Sequence, residues 1–220
     1  MLKCDLHLHS NLSLDSNMTL GSIIRTCVRR GISCIAITDH NRYAAARDLQ
    51  RLVPFRVIPG EEIKTTRGEI IGLFISEEIP RGKSPGDTAE EIHAQGGVVY
   101  IPHPFDRVRK SALAREALLE IIDLVDVIEV RNSRTTFPAD QEAADRFADL
   151  HHKLRGAGSD AHVWWELGHS YVEMAEFEGA AGFLSALSLG TVHGKLTSPV
   201  AHVASTITKW RKRYLVRKAM

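Results

Sequence analysis

Short β-branched runs alternate with longer helical patterns along most of this chain, and that alternation restricts the fold more than any other feature. LKCDLHL (2–8), ISCIAIT (32–38), FRVIP (55–59), EIIGLFI (69–75), GVVYIP (97–102), VDVIEV (125–130), KLRGAG (153–158) and SYVEM (170–174) read as strands. Between them, MTLGSIIRTCVRRG is opened by Asn17 as a candidate cap and closed by Gly31. SPGDTAEEIHAQGG and PADQEAADRFADLH carry serine or proline at the start and acids in the first turn. A βαβα rhythm of this kind predicts a mainly parallel sheet with covering helices. The segment between 55–59 and 69–75 is too short for a helix, so that pair reads as a hairpin insertion. LTSPVAHVAS (196–205) reads as a loop leading to a terminal helix.

Polar residues fall at the strand ends. His7 and His9 end the first strand and Asp15 follows it; Asp39 and His40 end the second. Glu61 and Glu62 follow the third, His103 ends the fifth, Glu129 and Asn132 end the sixth, and Asp160 and His162 follow the seventh. The C-terminal ends of parallel strands share one face, where α/β active sites are built. HxH and DxH have the period of a strand, so each pair can point one way. One such histidine alone is commonly a cap or a core hydrogen bond. Six segments in register instead predict a metal site, and imidazole with carboxylate suits Zn²⁺, Mn²⁺ or Fe²⁺. Five histidines and three or four carboxylates exceed the needs of one four-coordinate ion, so two or three ions sharing a carboxylate account for them.

Charge and cysteine content narrow the class. The three cysteines, Cys4, Cys27 and Cys34, show no CxxC spacing, which disfavours a disulfide framework and fits a reducing compartment. No apolar run reaches the length of a membrane span and no signal region opens the chain, so a cytoplasmic protein is expected. The last twelve residues hold Lys209, Arg211, Lys212, Arg213, Arg217 and Lys218 without an acid, which leaves 22 basic against 27 acidic residues in the remainder. We divide the chain into a domain over 1–200 and a basic helix or tail over 201–220. That tail can contact nucleic acid or a partner, or be a solvated helix with Trp210 and Tyr214 packed at i, i+4.

DLHLHS with the following LD, then AITDHN, IPGEEI, IPHPFD and GSDAH resemble, in that order, the PHP (polymerase and histidinol phosphatase) family, and most nearly its stand-alone phosphoesterases. The resemblance implies an α/β fold, a distorted (β/α)7 barrel with the metal site at the C-terminal ends of the strands. It also implies the ligands. A first ion takes His7, His9, Glu62 and Asp160; a second shares Glu62 with His103; a third takes Asp15, His40 and His162. Relatives place a histidine in a stretch like HIVGL where this chain has EIIGL, so Glu69 is expected to ligate in its place. Asp39 is expected to orient His40 or a neighbouring ligand rather than to bind an ion. His93, His151, His152, His169, His193 and His202 match no ligand position and are expected to be structural.

The activity expected is that of a metal-dependent phosphoric ester hydrolase. It would cleave a phosphate monoester of a small metabolite or nucleotide by a metal-bound hydroxide at a di- or trinuclear site. Arg107, Arg131 and Arg134 are expected to bind the phosphate, with Asn132 beside them. The alternative is a 5′-3′ exonuclease or nucleotide phosphatase acting on oligonucleotides, for which Trp164 and Trp165 offer stacking or simply core packing. Amidohydrolase-like hydrolysis would need a lysine at a mid-barrel strand end; the nearest, Lys64, falls after the GEE turn. A non-catalytic metal-binding module is the remaining reading, and the near-complete ligand set disfavours it.

Overall fold

In the computed structural model, which describes residues 1–50, 52, 53, 55–197 and 199–219 apart from the side chains at 199, 202, 216, 217 and 219, the β-branched runs pair into one curved sheet. The strands are β1 (Leu2–Leu8), β2 (Cys34–Ile37), β3 (Arg56–Thr65), β4 (Gly68–Leu73), β5 (Val98–Ile101), β6 (Val127–Asn132), β7 (Leu154–Gly158), β8 (Ser170–Met174) and β9 (Thr191–Gly194). Their order is β7-β6-β5-β4-β3-β2-β1-β8-β9. The helices are α1 (Leu20–Arg30), α2 (Ala44–Gln50), α3 (Pro85–Ala94), α4 (Arg115–Glu120), α5 (Pro138–Leu150), α6 (Gly179–Ser188) and α7 (Pro199–Ala219). His202 and Arg217, named above, lie outside the described side chains.

Alternation along each strand separates two layers. Cys34 and Ala36 of β2, Ile58 of β3, Ile71 and Leu73 of β4, and Val98 and Tyr100 of β5 share an inner cluster, which α6 joins through Phe183 and Leu187. Their neighbours face the helices instead. Ile35, Ile37 and Val57 pack with Ile23 and Cys27 of α1 and Leu49 of α2. Ile70, Val99, Ile101 and Ile128 pack with α3, α4 and α5. Helix ends follow their local chemistry: Ser84 caps α3 before Pro85, and Gly31 closes α1 in a left-handed turn at φ 65°. The cap of α1 is Thr19, not Asn17, whose amide donates to the His162 carbonyl.

The sheet closes nearly into a barrel at the end where the site lies. The second edge of β1 is divided: residues 2–4 pair with β8, and residues 7–9 meet the chain leaving β7. There Asp160 N donates to the His7 carbonyl and His9 N to that of Ala161. The barrel is distorted, as expected, and departs from a wholly parallel arrangement. β4 runs antiparallel between β3 and β5, because only a tight turn links β3 to β4. β3 also runs on to Thr65, so the expected hairpin is longer than its two apolar runs and Glu62 lies within the strand. Residues 199–205, expected as loop, already belong to α7, and β9 adds a strand beyond those expected.

Candidate metal centre

Register slips, as much as strand ends, aim the site residues. Leu6 belongs to the inner cluster and Leu8 to an outer one, so the alternation of β1 breaks at the shift between Asp5 and Leu8. That break turns His7 and His9 toward the barrel mouth. On β3 the phase is regular: Ile58 faces inward, and so does Glu62, while Glu61 turns outward and accepts from Ile79 N at 2.9 Å. His103 and Asp160 sit beyond β5 and β7 with left-handed φ of 35° and 52°, a strained backbone that functional positions often retain.

These residues form one buried cluster. His7 Nε2 and His9 Nε2 are 3.2 Å apart. Glu62 Oε2 lies 3.7 and 3.5 Å from those two nitrogens, and Asp160 Oδ1 lies 3.6 and 3.3 Å from them. All four side chains are closed to solvent. Glu62 turns its other oxygen, Oε1, to His103 Nε2 at 3.2 Å. Further out, Asp15 Oδ1 is 3.6 Å from His40 Nε2 and 3.4 Å from His162 Nε2. Glu69 points inward from β4, with a carboxylate oxygen within 4.8 Å of ligand atoms on His40 and Glu62.

Charges are strongly displaced in this setting. Burial works against protonated His7, but Asp160, Glu129 and Glu62 outweigh it and hold the ring well above its ordinary pKa. Burial, with His162 and His40 alongside, pulls His9 down to about 3. Burial also opposes ionisation of Asp160 and Glu62, yet Arg109 and His7 for the first, and His40 and His7 for the second, keep both far below the usual carboxylate range. Glu69 is raised by burial and by Glu62.

Glu129 is the hub behind the cluster. Its Oε1 takes His7 Nδ1 at 3.1 Å and the Tyr100 hydroxyl at 3.0 Å; its Oε2 accepts from His103 N and Asn132 Nδ2, both at 2.8 Å. Gly158 makes room for this contact, since a Cβ there would lie 2.3 Å from the His7 Cβ. Asp39 does not reach His40. It accepts from the amides and hydroxyls of Ser10 and Ser13, and the Ser13 hydroxyl then meets His9 Nδ1 at 3.4 Å and accepts from His40 N at 3.1 Å.

The expected phosphate-binding residues separate. Arg107 is turned outward, held by Asp140 and lying over Phe137. Arg131 pairs with Asp145 at 2.8 Å: the register of β6 shifts between Glu129 and Arg131, which swings Arg131 out and Asn132 in. Asn132 therefore supports Glu129 and lies 3.3 Å from Asp160 Oδ2. Arg134 does line the mouth, with Nη2 on the Ser205 hydroxyl at 2.7 Å. The missed cation is Arg109, whose Nη2 lies 2.6 Å from Asp160 Oδ2 while it lines the same cavity. It stands two residues beyond Arg107 in one irregular loop, where no periodicity marks which arginine turns in. The cavity, of about 1110 Å³, is also lined by Lys64 of β3 and by Lys209 and Arg213 of α7. Trp164 is half exposed under Arg29, away from the cavity. Trp210 and Tyr214 of α7 are mostly exposed, not packed.

The residues present fit divalent ions. Asp15 Oδ1, Glu69 Oε2 and Asp160 Oδ1 are buried without a hydrogen-bond partner among the described residues, and Glu62 Oε2 sits among the ring nitrogens of His7, His9 and His40, the last at 2.8 Å. Carboxylate oxygens left without neutral donors are costly inside a protein, and these four face imidazoles. Ligand atoms about 2.0–2.1 Å from one ion stand about 3.3 Å apart in a tetrahedron. The five separations that involve the His7 and His9 nitrogens, to each other and to Glu62 and Asp160, run from 3.2 to 3.7 Å.

Comparison with known proteins agrees with this geometry. A family model described as the PHP domain matches residues 5–68, and one described as PHP-associated matches residues 138–192. An uncharacterized protein of Methanocaldococcus jannaschii is 36% identical over 178 residues, which is 80% of this chain and 71% of that protein. Among solved structures, a two-domain protein from Bacteroides vulgatus containing a predicted PHP-like metal-dependent phosphoesterase superposes with a TM-score of 0.66 at 20% identity, over 88% of this chain and 65% of its own. The lesion-specific endonuclease PfuEndoQ from Pyrococcus furiosus superposes at 0.58 with 15% identity, over 87% of this chain and 57% of its own. At those identities the two structures speak to the fold.

Proposed function

The chain belongs to the PHP family, and on that premise we propose that it is a metal-dependent phosphoesterase acting on a phosphate monoester of a small metabolite or nucleotide. The observation that carries this reading is the set of four buried carboxylate oxygens facing five histidines. His7, His9, Glu62 and Asp160 would hold one ion, Glu62 with His103 and Glu69 a second, and Asp15, His40 and His162 a third. Such ions supply activated water and neutralise phosphoryl charge at neutral pH. Mn²⁺ or Fe²⁺ suits the carboxylate-rich second position better than Zn²⁺.

The chain's own groups do the positioning. Glu129 accepts the Nδ1 proton of His7 and so leaves the Nε2 lone pair pointing into the cluster. Arg109 occupies one oxygen of Asp160 and leaves the other free, while its guanidinium borders the space where a phosphoryl group would lie. Arg134, buried beside Glu166 and lining the same cavity, adds a second cation to its wall.

A second reading, hydrolysis at the 5′ end of an oligonucleotide, is favoured by the α7 cations Lys209 and Arg213 on the same cavity. Both readings are tested on protein purified without chelator and assayed with Mn²⁺ on an aryl phosphate, phosphorylated metabolites, nucleotides and a 5′-phosphorylated oligonucleotide. Turnover of small monoesters that a chelator abolishes supports the first reading. Salt-sensitive turnover confined to the oligonucleotide supports the second. Metal-loaded protein that cleaves none of these esters contradicts both.

A further inference from the structure

Helix α7 begins beyond both stretches matched by the family models, which end at residue 192. Its sequence is basic, and Trp210, Tyr214 and Leu215 in its C-terminal half are exposed, so among the described residues apolar burial is not what holds that half in place. Two lysines on the inward face hold it. Lys212 Nζ donates to three backbone carbonyls, those of Asn11, Ser13 and Ser16, each at 2.7 Å. One turn earlier, Lys209 Nζ lies 3.2 Å from Asp15 Oδ2. All four acceptors belong to the loop after β1.

That loop has short-range bonds of its own, Asn11 N to the Met18 carbonyl at 2.7 Å and Ser16 N to that of Ser13, but the three carbonyls that Lys212 gathers span it. Asp39 grips Ser10 and Ser13 at its root, and Ser16 Oγ bonds the carbonyls of His9 and His162. Leu12 and Leu14 are nearly half exposed. An ammonium has three protons and no acceptor, so three converging carbonyls satisfy Lys212 fully and fix the loop's curvature. The same curvature places Asp15, with Oδ2 taken by Lys209 and Oδ1 left facing His40 and His162.

We propose that Lys212 and Lys209 are positioning residues for the outer metal position: α7 folds the Asp15 loop into a ligand and splits the two oxygens of Asp15 between a lysine and an ion. This rests on the metal-binding reading above and extends it to a helix that no strand-end motif reveals. Among the described residues no hydrogen bond or ion pair joins His7, Glu62, His103 or Asp160 to α7, so the inner positions should depend on it least; His9 touches the clasped loop through Ser13.

The test is Mn²⁺ binding, followed by calorimetry and by the electron-spin resonance signal of free Mn²⁺, on chelator-stripped wild type, Lys212→Met, Lys212→Arg and Asp15→Asn. Lys212→Met is expected to weaken one class of site by about 10–100-fold, the usual effect of removing a group that orients a ligand. The remaining classes should keep wild-type affinity. Lys212→Arg, which can still donate to several carbonyls, should recover part of the loss. Adding Lys212→Met to Asp15→Asn should weaken binding no further, because both act on one ligand. Unchanged binding in Lys212→Met overturns the proposal, as does an equal loss at every class with a lowered melting temperature, which would mark a general folding defect. A wild type that binds no Mn²⁺ overturns the metal reading as well, so the two failures are told apart.

Discussion

His7, His9, Glu62 and Asp160 are fully buried on strands or within two residues of a strand end, whereas the outer group of Asp15, His40 and His162 is reached by loops and keeps side-chain exposures of 14%, 25% and 6%. The inner group is buttressed by charge and hydrogen bonds from within the barrel, through Glu129, Arg109 and Tyr100. The outer group leans on Ser13, Asp39 and a helix almost 200 residues away in the chain. The site therefore has a rigid half and an adjustable half. A packed β-barrel interior leaves few alternative rotamers, while a loop clasped by lysines depends on a few exchangeable hydrogen bonds.

Breaking the inner half should cost most. Asp160→Ala removes an oxygen shared by two imidazoles and strands Arg109. It is expected to lower kcat by about 1000-fold or more, the several kcal/mol that bound ions contribute to phosphoryl transfer, read on the aryl phosphate with saturating Mn²⁺. Glu129→Gln keeps the shape but no longer fixes the His7 proton on Nδ1. Metal affinity should fall by about 10–100-fold, measured by competition with a chromogenic chelator. A smaller effect of purely steric origin is expected from Gly158→Ala, whose new methyl would crowd the His7 Cβ and Glu129 Oε1. Overpacking there should cost about 1–3 kcal/mol, visible as a lower melting temperature in both stripped and loaded protein.

Paired arginine variants sharpen the contrast between cavity and rim. Arg109→Met should reduce kcat/KM by about 10–100-fold, since it removes a charge-assisted contact to Asp160 and a cation from the cavity. Arg107→Met, outside the mouth on Asp140, should leave kcat/KM within about twofold. Equal losses in the two would return Arg107 to the site.

Part of the site can be read from the chain. HLH and SDAH mark the ends of apolar runs, and on β3, where the phase is regular, Ile58 selects Glu62 over Glu61. Glu69 follows in the same way from the phase of Ile71 and Leu73. What escapes such reading is wherever the phase slips or the chain is irregular. The shift in β6 exchanges Arg131 for Asn132, and no periodicity separates Arg107 from Arg109. Glu129 faces inward as its phase requires, yet its role as a four-donor hub depends on Tyr100, His103 and Asn132 meeting in space. The clasp of α7 on the Asp15 loop depends on contacts between the two ends of the chain, for which local pattern carries no signal.

Whether these side chains gather divalent ions in a strand-held inner group and a loop-held outer group is tested by anomalous diffraction at the manganese edge, from crystals soaked in Mn²⁺. One peak is expected among His7, His9, Glu62 and Asp160, and another between Asp15, His40 and His162 that is weaker in Lys212→Met crystals. Crystals that take up Mn²⁺ elsewhere and show no peak among His7, His9, Glu62 and Asp160 would contradict that grouping.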